Sequence, residues 1–394
     1  MKVAQLAIRF PPAPGGAETH VKAVSKELLK RGHELSVFTS DLYKEIPFTK
    51  LNEVKDLKYE DSDLELGVRR FKAMTPGGEM HYVFLPGLTK SLMSADMDIM
   101  HAHSYGYFHT ASAMVRKRIK GTPFIFTPHF HPQWSMWGGE KRKGLRARYD
   151  RLVGKRVLDS VDKVIGVSRH EMELLCQMKD VENKVRVIPN GIHINRFTPI
   201  PDGSLFRSHF NIKGDMLLYV GRMASNKGLD VLVKAAAQVS KQRDVTCVFV
   251  GEDEGYKEPA MKLARKLGIE KNVLFTGHIK DNALFNSSFA ACDVLVLPSE
   301  YEAFGIVLLE AMACEKPCIG SRVGGVPEVI LEGKTGYIVE FGDHKAIADH
   351  ALTILSDKEK ARTMGKTGRK RVEDNFTWTK VVDQIEEVYR EFVN

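Results

Sequence analysis

The chain has 394 residues, 43% of them hydrophobic and 27% charged, with a formal net charge of +8. At about 100–200 residues per domain, that length points to two globular domains, each with a core to bury. No stretch approaches the roughly 18 uncharged residues of a spanning helix, so a membrane-spanning protein is excluded as an expectation. The positive charge admits a phosphate-bearing partner, whether nucleotide, nucleic acid or anionic lipid, and does not choose among them.

Residues 3–8 form a short apolar run that ends at Arg9 and Pro11-Pro12. It lacks the charged start and small-residue cleavage site of an export signal, and is expected to be a first buried strand. Apolar, β-branched runs then recur at 34–39, 99–101, 124–127, 163–167 and 186–188. Helical patterns stand between such runs, as at 17–31. After the turn signal Pro189-Asn190-Gly191 and a Pro- and Gly-rich stretch, the pattern restarts. New strands are expected at 216–220, 246–250, 273–276, 294–297, 317–321 and 336–339, with helices such as 229–241 and 259–267. Runs apolar on both faces, alternating with helices, mean parallel sheets with right-handed crossovers. The expected fold is therefore α/β, with two facing Rossmann-like domains, 1–195 and 196–378, and a ligand cleft between them. Residues 379–394 carry Val381, Val382, Ile385, Val388, Tyr389 and Phe392 on one helical face. That stripe needs a surface, and the helix is expected to cross back onto the first domain.

Several patterns are missing. No G-x-G-x-x-G follows the first strand, which argues against a standard dinucleotide site. Gly333-Lys334-Thr335 and Gly365-Lys366-Thr367 end like a phosphate-binding loop, but Glu328 and Lys360 stand where its first glycine belongs. His170-Glu171 opens a metalloprotease-like pattern that Leu174 breaks. The lysines are scattered and no DNA-binding signature is present, so no nucleic-acid partner is expected. The five cysteines, Cys176, Cys247, Cys292, Cys314 and Cys318, form no C-x-x-C pair. They suit reduced, mostly buried thiols in a cytosolic protein. Asp61-Ser62-Asp63 and Asp96-Met97-Asp98 read as turns. The dense group His101, His103, His109, His129 and His131 reads as strand-end histidines, with no metal.

Three motifs carry chemistry. Gly15-Gly16-Ala17-Glu18 follows the first strand and opens a helix, where bare backbone and helix-start amides suit an anion. A plain strand-to-helix turn has the same residues. Gly221-Arg222 with Lys227-Gly228 follows the first strand of the second half. Its guanidinium and ammonium make a clamp for a diphosphate. The third and most specific runs from Leu297 to Ala313, with Glu302 and Glu310 flanking Phe304-Gly305-Ile306. Glu310 lies in an otherwise apolar helix, where a carboxylate is costly without a partner. Ribose hydroxyls would suit it, and the helix-start amides would suit a phosphate or sugar.

With Asp98-Ile99-Met100-His101-Ala102-His103 and Gly324-Gly325-Val326-Pro327-Glu328 added, the order and spacing of these motifs become specific over nearly the whole chain. The chain resembles the retaining glycosyltransferases of family 4, which have the GT-B fold, with E-x7-E at Glu302 and Glu310. The resemblance implies a hexosyltransferase that uses a nucleotide sugar and no obligatory metal or other cofactor. Arg222 and Lys227 would bind the donor diphosphate, and Glu310 the ribose. Glu302 would contact the transferred sugar, with amides from Phe304, Gly305 and Ile306. Gly15 and Gly16 would approach the diphosphate, and His129 would stand near the reacting sugar. A sugar-nucleotide epimerase and a non-catalytic nucleotide-binding protein are the alternatives.

Residues 140–156 hold eight basic side chains against Glu140 and Asp150. Leu145, Tyr149, Leu152 and Val153 fall on one helical face, with Trp134 and Trp137 just before. Trp134, Trp137, Arg146, Arg148 and Arg151 are thus candidates for contact with anionic lipid or a lipid-linked acceptor. The region is similar to that of phosphatidylinositol mannosyltransferases and related lipid glycosyltransferases, which makes mannose the first sugar to consider. That reading places the protein in the cytoplasm, peripheral to the membrane. A helix packed on the sheet with its charges in water would look the same, and the sequence leaves both open.

Overall fold

The computed structural model describes residues 1–45, 47–55, 57, 64–75, 82–130 and 139–393, the side chains of Leu64 and 139–142 excepted. The chain divides into two compact units, Met1–Asn190 with Trp378–Asn394, and Gly191–Thr377. The first crossing thus lies at Asn190–Gly191 rather than at 195, and the second just before Trp378. Ile192 and Thr377 pair as neighbouring backbone, with the Ile192 amide donating to the Phe376 carbonyl at 2.8 Å.

In the first unit the strands are β1 (Lys2–Leu6), β2 (Glu34–Ser40), the short hairpin β3 (Leu42–Lys44) and β4 (Thr49–Lys50), β5 (Val68–Phe71), β6 (Ile99–His103), β7 (Phe124–Thr127), β8 (Lys163–Gly166) and β9 (Val185–Val187). Seven of them make one parallel sheet in the order β5-β2-β1-β6-β7-β8-β9. Sequence reading missed β5 because its residues, Val-Arg-Arg-Phe, form no apolar run. As an edge strand it pairs with β2 alone. Alternate residues feed two cores, as a pleated strand requires. Ala4, Met100, Phe124, Phe126 and Val164 pack on one side, against Leu92, Ala113, Val157 and Leu175 of the covering helices. Val3, Ile99, Ile125 and Ile165 pack on the other.

That second side is covered by helix Gly16–Lys30, through Val21, Val24 and Leu28, and by the C-terminal helix Trp378–Arg390. The apolar stripe of the latter, Val381, Val382, Ile385, Val388 and Tyr389, is fully buried. Its polar atoms are tied to the same unit. The Gln5 amide donates to the Tyr389 hydroxyl at 3.2 Å, and Tyr389 meets His101 Nδ1 at 2.7 Å. Glu386 accepts from Arg31 and from His33, both at 2.6 Å.

The second unit holds β10 (Asp215–Val220), β11 (Val245–Val250), β12 (Val273–Gly277), β13 (Val294–Leu297), β14 (Cys318–Ser321) and β15 (Gly336–Val339). They form a parallel sheet in the order β12-β11-β10-β13-β14-β15 around one continuous core. Cys247, Cys292, Cys314 and Cys318 are buried there as free thiols.

Removing side chain from the C-terminal stripe should leave a cavity between helix and sheet. Ile385→Ala is expected to destabilise the first unit by about 2–5 kcal/mol, measured by denaturant unfolding followed by Trp378 fluorescence. A loss under about 1 kcal/mol would show that this helix is not part of the core.

Candidate functional site

In an open parallel sheet, ligands bind outside the carboxyl ends of the strands where the strand order reverses, because neighbouring loops there depart to opposite faces. The second unit reverses between β10 and β13. The loop after β10 carries Arg222 and Lys227, and the loop after β13 carries Glu302 and leads into helix Ile306–Ala313 with Glu310. The two loops lie close. The Glu300 amide donates to the Asn226 carbonyl at 3.0 Å. Gly228 sits at φ 66°, and a Cβ there would strike the Pro298 carbonyl oxygen. Gly324, after β14, sits at φ 51° against the Glu302 carbonyl oxygen in the same way. Only glycine fits both the left-handed backbone and the approach.

These contacts bring the charges together. Lys227 Nζ meets Glu302 Oε2 at 2.9 Å, with both side chains half-buried. Arg222, exposed, places one guanidinium nitrogen on both oxygens of Glu254, at 2.7 and 2.9 Å. The hydroxyl of buried Tyr219 donates to the Arg222 carbonyl at 2.8 Å, holding the start of the loop. Glu310 is buried, and burial raises its carboxyl above the ordinary range, with Arg196 opposing the shift. Arg196 donates to Glu310 at 2.8 Å and to the Asn286 side-chain oxygen at 2.7 Å. The partner that a lone carboxylate in an apolar helix demands is therefore, in this chain, Arg196. Phe304 is buried, Gly305 is the left-handed cap at φ 88°, and Ile306 starts the helix. The first helical amides lack partners within the helix and face whatever lies at that end.

In the first unit the order reverses between β1 and β6. Gly15, exposed at φ 150°, caps helix Gly16–Lys30. Glu18 in the first turn is buried and ion-paired with Arg9 at 2.7 Å. Helix Gly16–Lys30 also carries His20, β6 ends at His103, and His129 follows β7 at φ 43°, a left-handed conformation rare outside glycine. The three imidazoles form one cluster, with ring centroids 5.0–5.8 Å apart. His20 Nδ1 lies 2.7 Å from the Asn190 side-chain oxygen, and His103 Nε2 lies 2.7 Å from the Gln5 side-chain oxygen. Burial pushes His20 down to about 4 and His103 and His129 well below the ordinary value. His101 is separately satisfied, by Tyr389 at 2.7 Å and Thr127 at 2.8 Å.

The basic segment is helical, Gly139–Tyr149 and Lys155–Ser160, joined by a π turn at Asp150–Gly154. The face read from the sequence is corrected, already in the helix ahead of the π turn. Leu145 and Leu152 are exposed, while Tyr149 and Val153 pack on the core. Arg148 and Arg151 are exposed, but Arg146 is buried and leaves the candidate surface. Trp134, Trp137 and His131 lie outside the described residues, as does Asp61-Ser62-Asp63. Asp96 and Asp98 are both bound to Lys2, through its ammonium at 2.6 Å and its amide at 2.7 Å.

Sequence reading did not find Arg196, Glu254, His20, Asn190 or Gln5. Each acts on a residue distant in the chain, and only Asn190, inside a turn signal, carried any local mark. No helix among the described residues is long and apolar enough to cross a membrane.

Comparison with known proteins follows the same division. Residues 14–196 match the model of Glycosyltransferase Family 4, and residues 204–371 that of Glycosyl transferases group 1. The chain is 29% identical to N-acetyl-alpha-D-glucosaminyl L-malate synthase of Bacillus anthracis, over 98% of this chain and 96% of that one. It is 27% identical to a GDP-mannose-dependent alpha-(1-6)-phosphatidylinositol monomannoside mannosyltransferase of Mycolicibacterium smegmatis, over 94% and 93%. In structure it is similar to sucrose-phosphate synthase from Thermosynechococcus elongatus, with a TM-score of 0.75, 24% identity and 99% of each chain covered. It is also similar to HepE from Anabaena, crystallised with UDP, with a TM-score of 0.77, 21% identity and 99% and 100% covered. The two family models between them take in most of the sequence, and the chain belongs to the family 4, group 1 glycosyltransferases with the GT-B fold.

Proposed function

We propose that this glycosyltransferase moves a hexosyl unit from a nucleoside diphosphate sugar to a hydroxyl, with retention of anomeric configuration. The convergence of Arg222, Lys227, Glu302 and Glu310 where the second sheet reverses carries this reading. As the bond from sugar to phosphate breaks, charge develops on the leaving diphosphate. Two cations fixed beside it stabilise that charge more in the transition state than in the ground state. Lys227 and Arg222 exchange carboxylate partners for phosphate oxygens. Glu302, released from Lys227, turns to the sugar hydroxyls, and Glu310, oriented by Arg196, holds the ribose. His129, neutral at pH 7, contacts the transferred sugar, and Gly15 and Gly16 leave their backbone open to the diphosphate. The leaving phosphate accepts the proton of the incoming hydroxyl, on the same face. No metal is needed, because the protein's own cations meet the diphosphate.

The first donor to try is GDP-mannose, the donor in the name of the mycobacterial relative. HepE, crystallised with UDP, keeps the UDP sugars in the panel. A lipid acceptor is supported by exposed Leu145 and Leu152, set among exposed Lys143, Arg148, Arg151, Lys155 and Arg156. Apolar side chains within a cationic helix suit the headgroup boundary of an anionic membrane, on its cytoplasmic face.

Nucleoside diphosphate release should occur with one sugar donor and rise with acceptor. Lys227→Ala should lower kcat by about 10²–10³-fold, since it acts on charge that develops in the transition state. Glu310→Ala should act mainly through KM, because a ribose contact is the same in ground and transition states. Sugar isomerised without any acceptor would instead make the protein an epimerase. Binding to anionic vesicles should be lost in the double variant Arg148→Glu, Arg151→Glu. Unchanged binding would remove the membrane from this reading while leaving the transfer intact.

A further inference from the structure

We propose that His20, His103 and His129 form a binding site for one divalent transition-metal ion of the zinc type. One ligand nitrogen from each residue lies within 4.8 Å of the other two. His20 Nε2, His103 Nδ1 and His129 Nε2 are buried and have no hydrogen-bond partner. His101, by contrast, uses both nitrogens, and His109, whose Nδ1 is also unpartnered, stands outside the cluster of three.

The opposite nitrogens decide the tautomers. The Asn190 side-chain oxygen can only accept, so His20 Nδ1 carries the proton and Nε2 the lone pair. The Gln5 side-chain oxygen likewise places the proton of His103 on Nε2 and its lone pair on Nδ1. Gln5 is itself oriented by donating to the Tyr389 hydroxyl at 3.2 Å. A ligating imidazole held by a carbonyl oxygen on its other nitrogen is the usual outer shell of a metal site.

At about 2.0–2.1 Å from each nitrogen, a tetrahedral ion would set the three about 3.4 Å apart, within reach of small ring rotations. The donors are imidazoles alone, which favours zinc, cobalt, nickel or copper over magnesium or calcium. His20 and His103 are fully buried and His129 is partly exposed, while the unpartnered nitrogens of all three are buried. An ion held here would take the place of the sugar contact proposed for His129, and because it is measured as metal bound and not as sugar moved, its failure and that of the transfer reading are distinguishable.

The test is titration of chelator-treated whole protein with Co²⁺, read by visible d–d absorption, with Zn²⁺ as competitor. One equivalent should bind in a four-coordinate spectrum and be displaced by Zn²⁺. His20→Gln and His129→Gln should each weaken binding at least about 10-fold, and Asn190→Ala about 10–100-fold through the lost orientation of His20. His278→Gln, an exposed histidine of the other unit, should change nothing. No cobalt spectrum in the wild type, or full binding by folded His129→Gln, would overturn the site. Circular dichroism checks the fold of each variant, and if His20→Gln unfolds, the partly exposed His129 decides alone.

Discussion

Two parallel neighbours at a sheet reversal send their chains to opposite faces, and the backbone between the departing loops cannot be filled by either. Both sheets have such a reversal, β1 against β6 and β10 against β13. Lys227 and Arg222, after β10, and Glu302 and Glu310, after β13, all stand on chain that leaves the sheet beside the second of them. In the second unit the constraint is sharpest. The loop bearing Lys227 and the loop bearing Glu302 must nearly touch, and Gly228 is the position where a Cβ would prevent it, as Gly324 is between the loop after β14 and Glu302. The close approach at Gly228 lets neighbouring strands become an ion pair across 75 residues of sequence, since Leu217 aligns with Val294 and Lys227 then meets Glu302.

The charges assembled there are balanced in advance. Lys227 with Glu302, Arg222 with Glu254 and Arg196 with Glu310 leave no net charge within the three pairs. A half-buried lysine or carboxylate without a partner would carry a desolvation penalty, and pairing lowers it. The pairs differ in how easily they part. Arg222 and Glu254 are exposed, so their attraction is screened and weak. Glu310 is buried and has exchanged water for a guanidinium, which makes Arg196 a lasting neighbour. Any anion arriving at this point would compete with carboxylates of graded strength, and the most exposed cation is the easiest to recruit.

Much of this was legible in the sequence because it is local. Strand runs such as 124–127 and 294–297 coincide with β7 and β13, since apolar residues buried on both faces leave an unbroken run. The edge strand β5 escaped notice because one neighbour and two arginines give no such run. Glu302, Glu310, Arg222 and Lys227 could be singled out by spacing, but their partners could not. Arg196 lies 114 residues from Glu310, and nothing in its own neighbourhood marks it. The basic helix shows the other way a local pattern fails. A face drawn through Leu145 and Tyr149 put Arg146 on the surface, but the regular helix Gly139–Tyr149, ahead of the π turn, sets Arg146 inward and Leu145 outward.

The histidines extend the same point from charge to lone pairs. His101 and His103 are two residues apart on one strand, so both face the same side of the sheet beside the C-terminal helix. Sequence treats them alike, yet their neighbours separate them. His101 spends both nitrogens on Tyr389 and Thr127 and becomes part of the core. His103 has one nitrogen held by Gln5 and the other turned toward His20 and His129 with no partner. Gln5 can hold it only because Tyr389, from the far end of the chain, holds Gln5. The C-terminal helix thus does more than cover an apolar face. It sets, through one hydroxyl and one amide, which nitrogen of a buried imidazole keeps its lone pair, and with that what the cluster can bind.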